Sequence, residues 1–95
     1  MITSIEPGIY KPGRHGIRIE NLVYNVIADV TEFGEFLRFE TLTLCPIDAR
    51  CLDTSLLTAA DIAWFNDYHA TVRARLSHLV DGAARDWLLL RTEAI

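Results

Sequence analysis

Apolar and polar residues alternate along the first half of the chain, with the period of two that is typical of β-strands. We predict three strands, which cover residues 1–10, 17–28 and 36–44. Residues 11–15 are polar and contain Gly and Pro, so they are predicted to form the first turn. Residues 29–35 contain a glycine and several charges, and we predict a second turn there. The first 45 residues are therefore predicted to be β-structure.

The apolar period changes after Pro46, which is predicted to end the third strand because proline lacks the amide proton that a ladder needs. Residues 46–57 show no sustained period and are predicted to form an irregular connector. Thr58 is predicted to cap a helix, with Asp61 in the capping-box position. The apolar stripe of this helix consists of Ile62, Phe65, His69, Val72, Leu76 and Leu79.

Gly82 is predicted to end this helix, and a shorter second helix is predicted over residues 83–92. The expected packing residues of the second helix are Ala84, Trp87, Leu88 and Leu90. Together these elements predict an α+β fold, in which antiparallel strands are followed by a C-terminal helical hairpin over residues 58–95.

The length of 95 residues suits one small domain, and a hydrophobic content of 51% is high for so short a chain. We therefore expect apolar faces that pack against further elements. The net charge of −4 and the lack of a basic stripe argue against a nucleic-acid partner. No apolar run approaches the ~18 residues of a membrane span, and the N-terminus lacks the basic and apolar segments of a signal peptide. A cytoplasmic protein without a membrane partner is expected.

Two cysteines, Cys45 and Cys51, are too few for a disulfide framework, and no Cys-x-x-Cys spacing suggests zinc. A bridge between them stays open as an alternative. We expect reduced, partly buried thiols.

Two carboxylates, Glu6 and Glu20, each lie inside an alternating run, in residues 4–10 (SIEPGIY) and 16–21 (GIRIEN). If Glu6 pairs with Glu20, the same register makes two further pairs, Gly8 with Arg18 and Tyr10 with Gly16. The strand period then puts both carboxylates on one face, where opposed like charges destabilise a sheet. A cation is expected over them, either Arg18 or a divalent metal. The alternative is a pair of solvated surface glutamates.

These two segments resemble the last two metal-ligand motifs of the pita-bread metallopeptidases, which include the methionine and Xaa-Pro aminopeptidases and prolidase. Residues 39–47 (FETLTLCPI) and 64–69 (WFNDYH) resemble the C-terminal end of the three-domain Xaa-Pro aminopeptidases. The resemblance runs over nearly the whole chain. It implies a pita-bread fold and a peptide substrate with proline in second position, from which the N-terminal residue is released.

The resemblance also implies that Glu6 and Glu20 complete a site for two divalent ions, manganese first and zinc or cobalt as alternatives. The family's glutamate that matches Glu20 binds both ions, and the one that matches Glu6 binds one ion and helps to move protons. Tyr10 and Arg18 match residues that orient such carboxylates. Their alternative roles are an ordinary strand aromatic and a cross-strand ion pair.

The family's site has five ligands, and the resemblance implies that two aspartates and a histidine come from strands upstream of this sequence. We therefore expect residues 1–95 to be a partial catalytic domain, with little or no activity alone, whose partner is the missing N-terminal part of the enzyme. The alternative is a non-catalytic binding or dimerisation module, a homodimer for example, that retains a remnant of the fold.

His15 and His78 are expected to be exposed and His69 to be packed. The resemblance implies that none of them replaces the family's histidine ligand, which belongs to a different strand. The large aromatics of the helices are predicted to be packing anchors: Trp64, Tyr68 and Trp87. Arg38 stands where the family usually has a small residue, often glycine, and brings a long cation close to the FET motif.

Overall fold

The computed structural model describes all 95 residues, which divide into two compact units, the β unit (Met1–Thr43) and the helical unit (Leu44–Ile95). Five strands are followed by two α-helices, which confirms the predicted α+β fold. Neither helix is long and apolar enough to cross a membrane.

The strands of the β unit are β1 (Ile2–Ile5), β2 (Gly8–Lys11), β3 (His15–Arg18), β4 (Asn21–Thr31) and β5 (Gly34–Thr41). They form a three-stranded sheet in the order β1-β4-β5 and a two-stranded sheet of β2 and β3. All pairings are antiparallel. One constant register runs through both sheets, from Ile2 opposite Tyr24 to Lys11 opposite His15.

The first two predicted strands are each interrupted near Pro7. The Ile19 amide donates a hydrogen bond to the Pro7 carbonyl at 3.3 Å, but Pro7 has no amide proton with which to return the bond. The ladder therefore continues with one of its two bonds missing, and β1 ends at Ile5 while β2 begins at Gly8. The single strands predicted over residues 1–10 and 17–28 are corrected to two shorter strands each.

The turn predicted over residues 29–35 is too long. β4 runs on to Thr31 and β5 begins at Gly34, which leaves a connection of only two residues. A β-bulge between Ile27 and Asp29 inserts one extra residue into β4 and reverses the faces of the residues that follow. The bulge breaks the period of two, and for this reason the sequence pattern ended the strand too early.

The β unit buries little of its own apolar surface. Val23 is buried, with 6% of its surface exposed, but Ile9, Phe33 and Leu37 are 64%, 85% and 57% exposed. Exposed apolar side chains also include Ile2, Ile17, Ile27, Val30, Phe36 and Phe39. This agrees with the expectation, from the high hydrophobic content, of apolar faces that pack against further elements.

The helical unit begins with two short 3-10 helices, Ala49–Cys51 and Thr54–Leu56, and continues with α1 (Ala59–Leu76), a third 3-10 turn (Ser77–Leu79) and α2 (Gly82–Arg91). Aspartates cap the first two. Asp48 accepts from the Arg50 amide at 3.0 Å and from the Arg50 guanidinium, which lowers the pKa of Asp48 to about 2. Asp53 accepts from the Ser55 amide at 3.0 Å. The predicted irregular connector is thus two side-chain-capped turns.

The predicted capping box at the start of α1 is confirmed. The Thr58 hydroxyl accepts from the Asp61 amide at 3.1 Å, and the Asp61 carboxylate accepts from the Thr58 amide at 2.9 Å. We expect Thr58→Ala to lower the free energy of unfolding of the helical unit by about 1 kcal/mol, because the Asp61 amide loses the hydroxyl acceptor that caps it. Urea denaturation followed by circular dichroism measures this. Thr54→Ala, outside the capping box, is the control and should change little.

The core of the helical unit lies between α1 and α2. Its buried side chains are Tyr68, Val72 and Leu88, with Leu44, Ile47 and Leu76 packed against them. His69 and Val72 are completely buried. The end of α2 is tied to α1 by Arg73, which donates to the Leu89 carbonyl at 2.6 Å and to the Thr92 hydroxyl at 3.0 Å. The bond to Leu89 satisfies a carbonyl group that a helix end would otherwise leave unpaired.

Tyr68 and His69 also hold residues 45–47 against α1. The Tyr68 hydroxyl donates to the Cys45 carbonyl at 2.6 Å and accepts from the Cys45 amide at 3.3 Å. The Nε2 atom of His69 accepts from the Ile47 amide at 3.0 Å. Because Nε2 accepts, the neutral ring carries its proton on Nδ1.

Several details of the helix predictions are corrected. α1 ends at Leu76, well before Gly82, and Gly82 instead begins α2 with a left-handed φ of 53°. Leu79 lies beyond α1 and is 67% exposed, so it leaves the predicted stripe. Trp64 and Trp87 are each 52% exposed and are not buried anchors within this chain, whereas Tyr68 is. Of the four packing residues predicted for the second helix, Leu88 alone is buried.

The buried imidazole of His69 makes the stability of the helical unit depend on pH. Burial lowers the pKa of His69 below its ordinary value of 6.5, because the charged ring would lose its hydration. The unfolded chain then binds more protons than the folded chain below about pH 6.5. Stability is therefore complete above that pH and should fall as the pH is lowered toward the folded-state pKa of His69. Melting temperatures from pH 8 to 5 test this, and His69→Phe should flatten the profile in this range.

Candidate metal centre

The two candidate ligands lie at the point where the two sheets join. The pairs on either side, Ile5 with Asn21 and Gly8 with Arg18, share one register, so Glu6 lies across from Glu20.

This pair is of the close type. The neighbouring pair of Pro7 and Ile19 carries a ladder hydrogen bond, so Glu6 and Glu20 form a non-hydrogen-bonded pair. In such pairs the Cα atoms are about 4.5 Å apart and the side chains leave the same face. The backbone therefore brings two carboxylates side by side, as the predicted register required.

Arg18 is the cation that the structure places beside this pair. Its Nε atom lies 3.3 Å from a carboxylate oxygen of Glu20, and about half of the Arg18 side chain and a third of the Glu20 side chain are exposed. An exposed ion pair of this kind contributes at most about 1 kcal/mol. Arg18 thus offsets part of the repulsion between the glutamates and leaves carboxylate oxygens available to a further cation.

Carboxylate oxygens are hard donors that suit manganese and also bind zinc and cobalt. Residues that could serve as ligands do not gather in groups of three or more anywhere in the chain. The pair fits part of a divalent-metal site by its donor chemistry, and a complete coordination shell needs donors beyond these two glutamates.

The start of β4, next to Glu20, is fixed by residues that the sequence pattern did not single out. The Leu22 amide donates to the Thr43 hydroxyl at 2.7 Å, and the Leu22 carbonyl accepts from the Leu42 amide at 2.7 Å. Chain pairing therefore continues past the end of β5. The only sequence signal for this pairing is the Thr-Leu-Thr part of the FETLTL motif. That signal does not reveal which backbone group the Thr43 hydroxyl would bind.

A second polar cluster lies on the same face further along β4 and β5. The Tyr24 hydroxyl donates to one oxygen of Glu40 at 2.7 Å, and Arg38 lies 3.0 Å from the other oxygen. Tyr24 and Glu40 are directly paired across the strands. Arg38 thus forms its ion pair with Glu40 and none with Glu6 or Glu20.

The histidines and cysteines form no metal-binding group of three or more with each other or with the acidic residues. His15 and His78 are exposed and His69 is completely buried, as predicted. Cys45 and Cys51 are free thiols and are both exposed, which corrects the expectation of partial burial.

Comparison with known proteins identifies the family of the chain. Residues 35–95 match the profile of the family described as "C-terminal region of peptidase_M24". A probable Xaa-Pro aminopeptidase P of Coprinopsis cinerea is 42% identical over an alignment of 102 positions, which covers 100% of this chain and 16% of the relative. Aminopeptidase P2 of Arabidopsis thaliana is 40% identical over 99 residues, covering 100% of this chain and 14% of the relative.

The fold has a solved counterpart. An X-prolyl aminopeptidase from Caenorhabditis elegans, described as a cytosolic enzyme with a di-nuclear active site, matches with a TM-score of 0.83 and 36% identity. The match covers 99% of this chain and 16% of that protein. The architecture is thus that of the C-terminal portion of a pita-bread fold, and the chain spans about a sixth of the length of these relatives. Because the family profile matches more than half of its residues, the chain belongs to the peptidase M24 family, of which it represents the C-terminal region.

Proposed function

We propose that this chain supplies two carboxylate ligands, Glu6 and Glu20, to the dinuclear metal centre of an Xaa-Pro aminopeptidase. One observation carries the proposal: the backbone register makes the two glutamates a directly opposed pair on one face of the ladder. The family membership and the di-nuclear active site described for the C. elegans enzyme support it.

Manganese is the proposed metal, with zinc or cobalt as alternatives, and two such ions, when bound, polarise a peptide carbonyl and activate water for hydrolysis. Glu20 is proposed to contact both ions, and Glu6 is proposed to contact one. The Arg18 guanidinium, already 3.3 Å from Glu20, restricts the orientation of that carboxylate. Tyr10 is proposed to help orient the two carboxylates from the same face of the ladder.

The proposed substrate is a peptide with proline in second position, from which the N-terminal residue is released. In this reaction the leaving group is the proline nitrogen, which must gain a proton. A Glu6 carboxylate oxygen is proposed to accept a proton from the attacking water and to pass it to that nitrogen. The reaction then balances without any further acid from this chain.

The ligand count limits what these 95 residues do by themselves. Two glutamates provide fewer donors than one ion needs, so the missing ligands are proposed to come from the N-terminal part of the enzyme. We propose that the 95-residue chain alone is inactive. A cytoplasmic location is proposed from the description of the C. elegans relative as cytosolic.

A chimera tests this proposal. In the chimera, the chain replaces the matching segment of the C. elegans enzyme, and both the chimera and the isolated chain are assayed with Mn²⁺ on a peptide that has proline second. We expect turnover by the chimera and no release of the first residue by the isolated chain. Turnover by the purified chain at rates typical of enzymes, about 1 per second or more, would contradict the ligand count. An inactive but folded chimera would contradict the proposed function.

We propose as the alternative a non-catalytic module that forms a homodimer. The observation in its favour is the large number of exposed apolar side chains in the β unit, such as Phe33 and Leu37. Sedimentation equilibrium of the isolated chain, with a titration of Mn²⁺, separates the two. A stable dimer without metal affinity favours the alternative, and a monomer rules it out.

A further inference from the structure

The Tyr10 ring lies flat across the ladder of β2 and β3. A Cβ atom added at Gly16, which faces Tyr10 on the opposite strand, would stand 2.8 Å from the ring atom Cδ1. A Cβ atom added at Gly8, two residues earlier on the same strand, would stand 2.5 Å from the hydroxyl oxygen and 2.8 Å from Cζ. Carbon atoms in contact are normally about 3.5–4.0 Å apart. The ring therefore occupies the volume that side chains at both glycines would fill.

This placement gives the ring a direction. The ring crosses Gly16, and its hydroxyl ends over Gly8, which is paired with Arg18. The next residue of the same chain segment on that face is Glu6. The hydroxyl thus points from the hairpin toward the carboxylate pair. The ring also fills the space beside Arg18 on the side away from Glu20. The Arg18 guanidinium is turned toward Glu20.

We propose that Gly8 and Gly16 are positioning residues of the carboxylate site, which act by forming a slot for the Tyr10 ring. Seated in this slot, the ring holds its hydroxyl beside Arg18 and leaves the guanidinium free only in the direction of Glu20. The proposal rests on the proposed role of Glu6 and Glu20 as metal ligands.

A purely structural role would need only one of the two glycines. An aromatic ring that covers a glycine on the neighbouring strand stabilises a sheet, and this accounts for Gly16 opposite Tyr10. It does not account for Gly8, which lies on the strand of Tyr10 itself and whose missing side chain makes room for the hydroxyl end of the ring. The second glycine decides where the polar atom of Tyr10 lies.

Nuclear magnetic resonance of the labelled 95-residue chain, without metal, tests the slot. The variants are Gly16→Ala, Gly8→Ala, Tyr10→Ala and the double variant Gly16→Ala with Tyr10→Ala. Ile9→Ala is the control, because Ile9 is exposed on the opposite face of the same strand. The two readouts are the Hα signals of the glycines, which a ring above them shifts upfield, and the exchange rate of the Arg18 Nε proton.

We expect Gly16→Ala to remove the upfield shift at Gly8 and to raise the Arg18 Nε exchange rate about two- to fivefold, the size of a weak exposed ion pair. Gly8→Ala, whose methyl group would overlap the hydroxyl end of the ring, should raise the same rate. In the Tyr10→Ala background, Gly16→Ala should add nothing, because the atom that its methyl group would strike is gone. Ile9→Ala should leave both readouts unchanged.

The slot is overturned if the wild type shows no upfield glycine signals, or if the effects of Gly16→Ala and Tyr10→Ala are additive. Titration of the chimera with Mn²⁺ forms a separate arm, in which paramagnetic broadening is expected at Glu6 and Glu20, because the chimera supplies the ligands that this chain lacks. If the glycine variants change the Arg18 exchange rate but Mn²⁺ causes no such broadening, the slot is supported and the metal-binding role is contradicted. If Mn²⁺ causes the broadening but the glycine variants leave the Arg18 exchange rate unchanged, the metal-binding role is supported and the slot is contradicted.

Discussion

Replacing Glu20 with glutamine in the active chimera is expected to reduce kcat/KM for an Xaa-Pro peptide by well over 100-fold. Changes to groups that only orient metal ligands already cost about 10–100-fold in affinity or activity. Glu20 is proposed to contact both ions directly, so its loss should exceed that range. The amide of glutamine keeps the size of the side chain but lacks the charge that two divalent cations require.

The matched control is Glu32→Gln, the same chemical change at an exposed glutamate between β4 and β5. We expect this variant to retain the activity of the chimera. The Mn²⁺ content of each purified variant, measured by mass spectrometry, should fall with Glu20→Gln and stay constant with Glu32→Gln. Equal activity in the two variants would show that Glu20 is a solvated surface residue.

Replacing His69 with alanine is expected to destabilise the helical unit by about 3–5 kcal/mol. Removal of a large, fully buried ring leaves a cavity, and losses of this size are typical of such truncations in protein cores. The variant also leaves the Ile47 amide without the acceptor that now lies 3.0 Å away. A small domain has only about 5–15 kcal/mol of stability, so this loss would be a large share of the total.

The comparison variant is His78→Ala, which removes the same side chain from an exposed position in the turn after α1. Urea denaturation of both variants, followed by the circular dichroism of the helices, measures the difference. We expect His78→Ala to change the free energy of unfolding by less than about 0.5 kcal/mol. Similar midpoints for the two variants would mean that His69 does not hold residues 45–47 in place.

Local rules predicted the parts of the fold that depend on neighbours in sequence. The capping box of α1 follows from Thr58 and Asp61 alone, and the structure confirms it. The register of β2 and β3 was predicted because one pairing places two glutamates and an arginine together, and the pairs Gly8–Arg18 and Tyr10–Gly16 confirm it.

Features that depend on distant or single backbone groups were not predictable in this way. The bulge between Ile27 and Asp29 leaves no mark in the sequence except a broken alternation, which looks like the end of a strand. A glycine in a helical pattern most often marks a helix end, where a left-handed residue is favoured. Gly82 has a left-handed φ but begins α2 instead, because α1 already ends at Leu76.

The candidate site shows the same division. Alternation along the strands was sufficient to bring Glu6 and Glu20 to one face. The hydroxyl of Thr43 could not be assigned to the Leu22 amide, because the two residues are far apart in sequence and meet only through the pairing of the strands. The position of the Tyr10 ring over Gly8 and Gly16 could not be predicted from the sequence either, since it depends on the rotamer of the side chain and on two glycines at once.

Anomalous scattering from crystals of the chimera grown with Mn²⁺ tests the central proposal most directly, because it locates the cations without reference to activity. The predicted result is two manganese peaks about 3.5–4 Å apart, with carboxylate oxygens of both Glu6 and Glu20 in their coordination shells. Manganese peaks that leave both side chains in solvent, or carboxylates that point to opposite faces of the ladder, would contradict it.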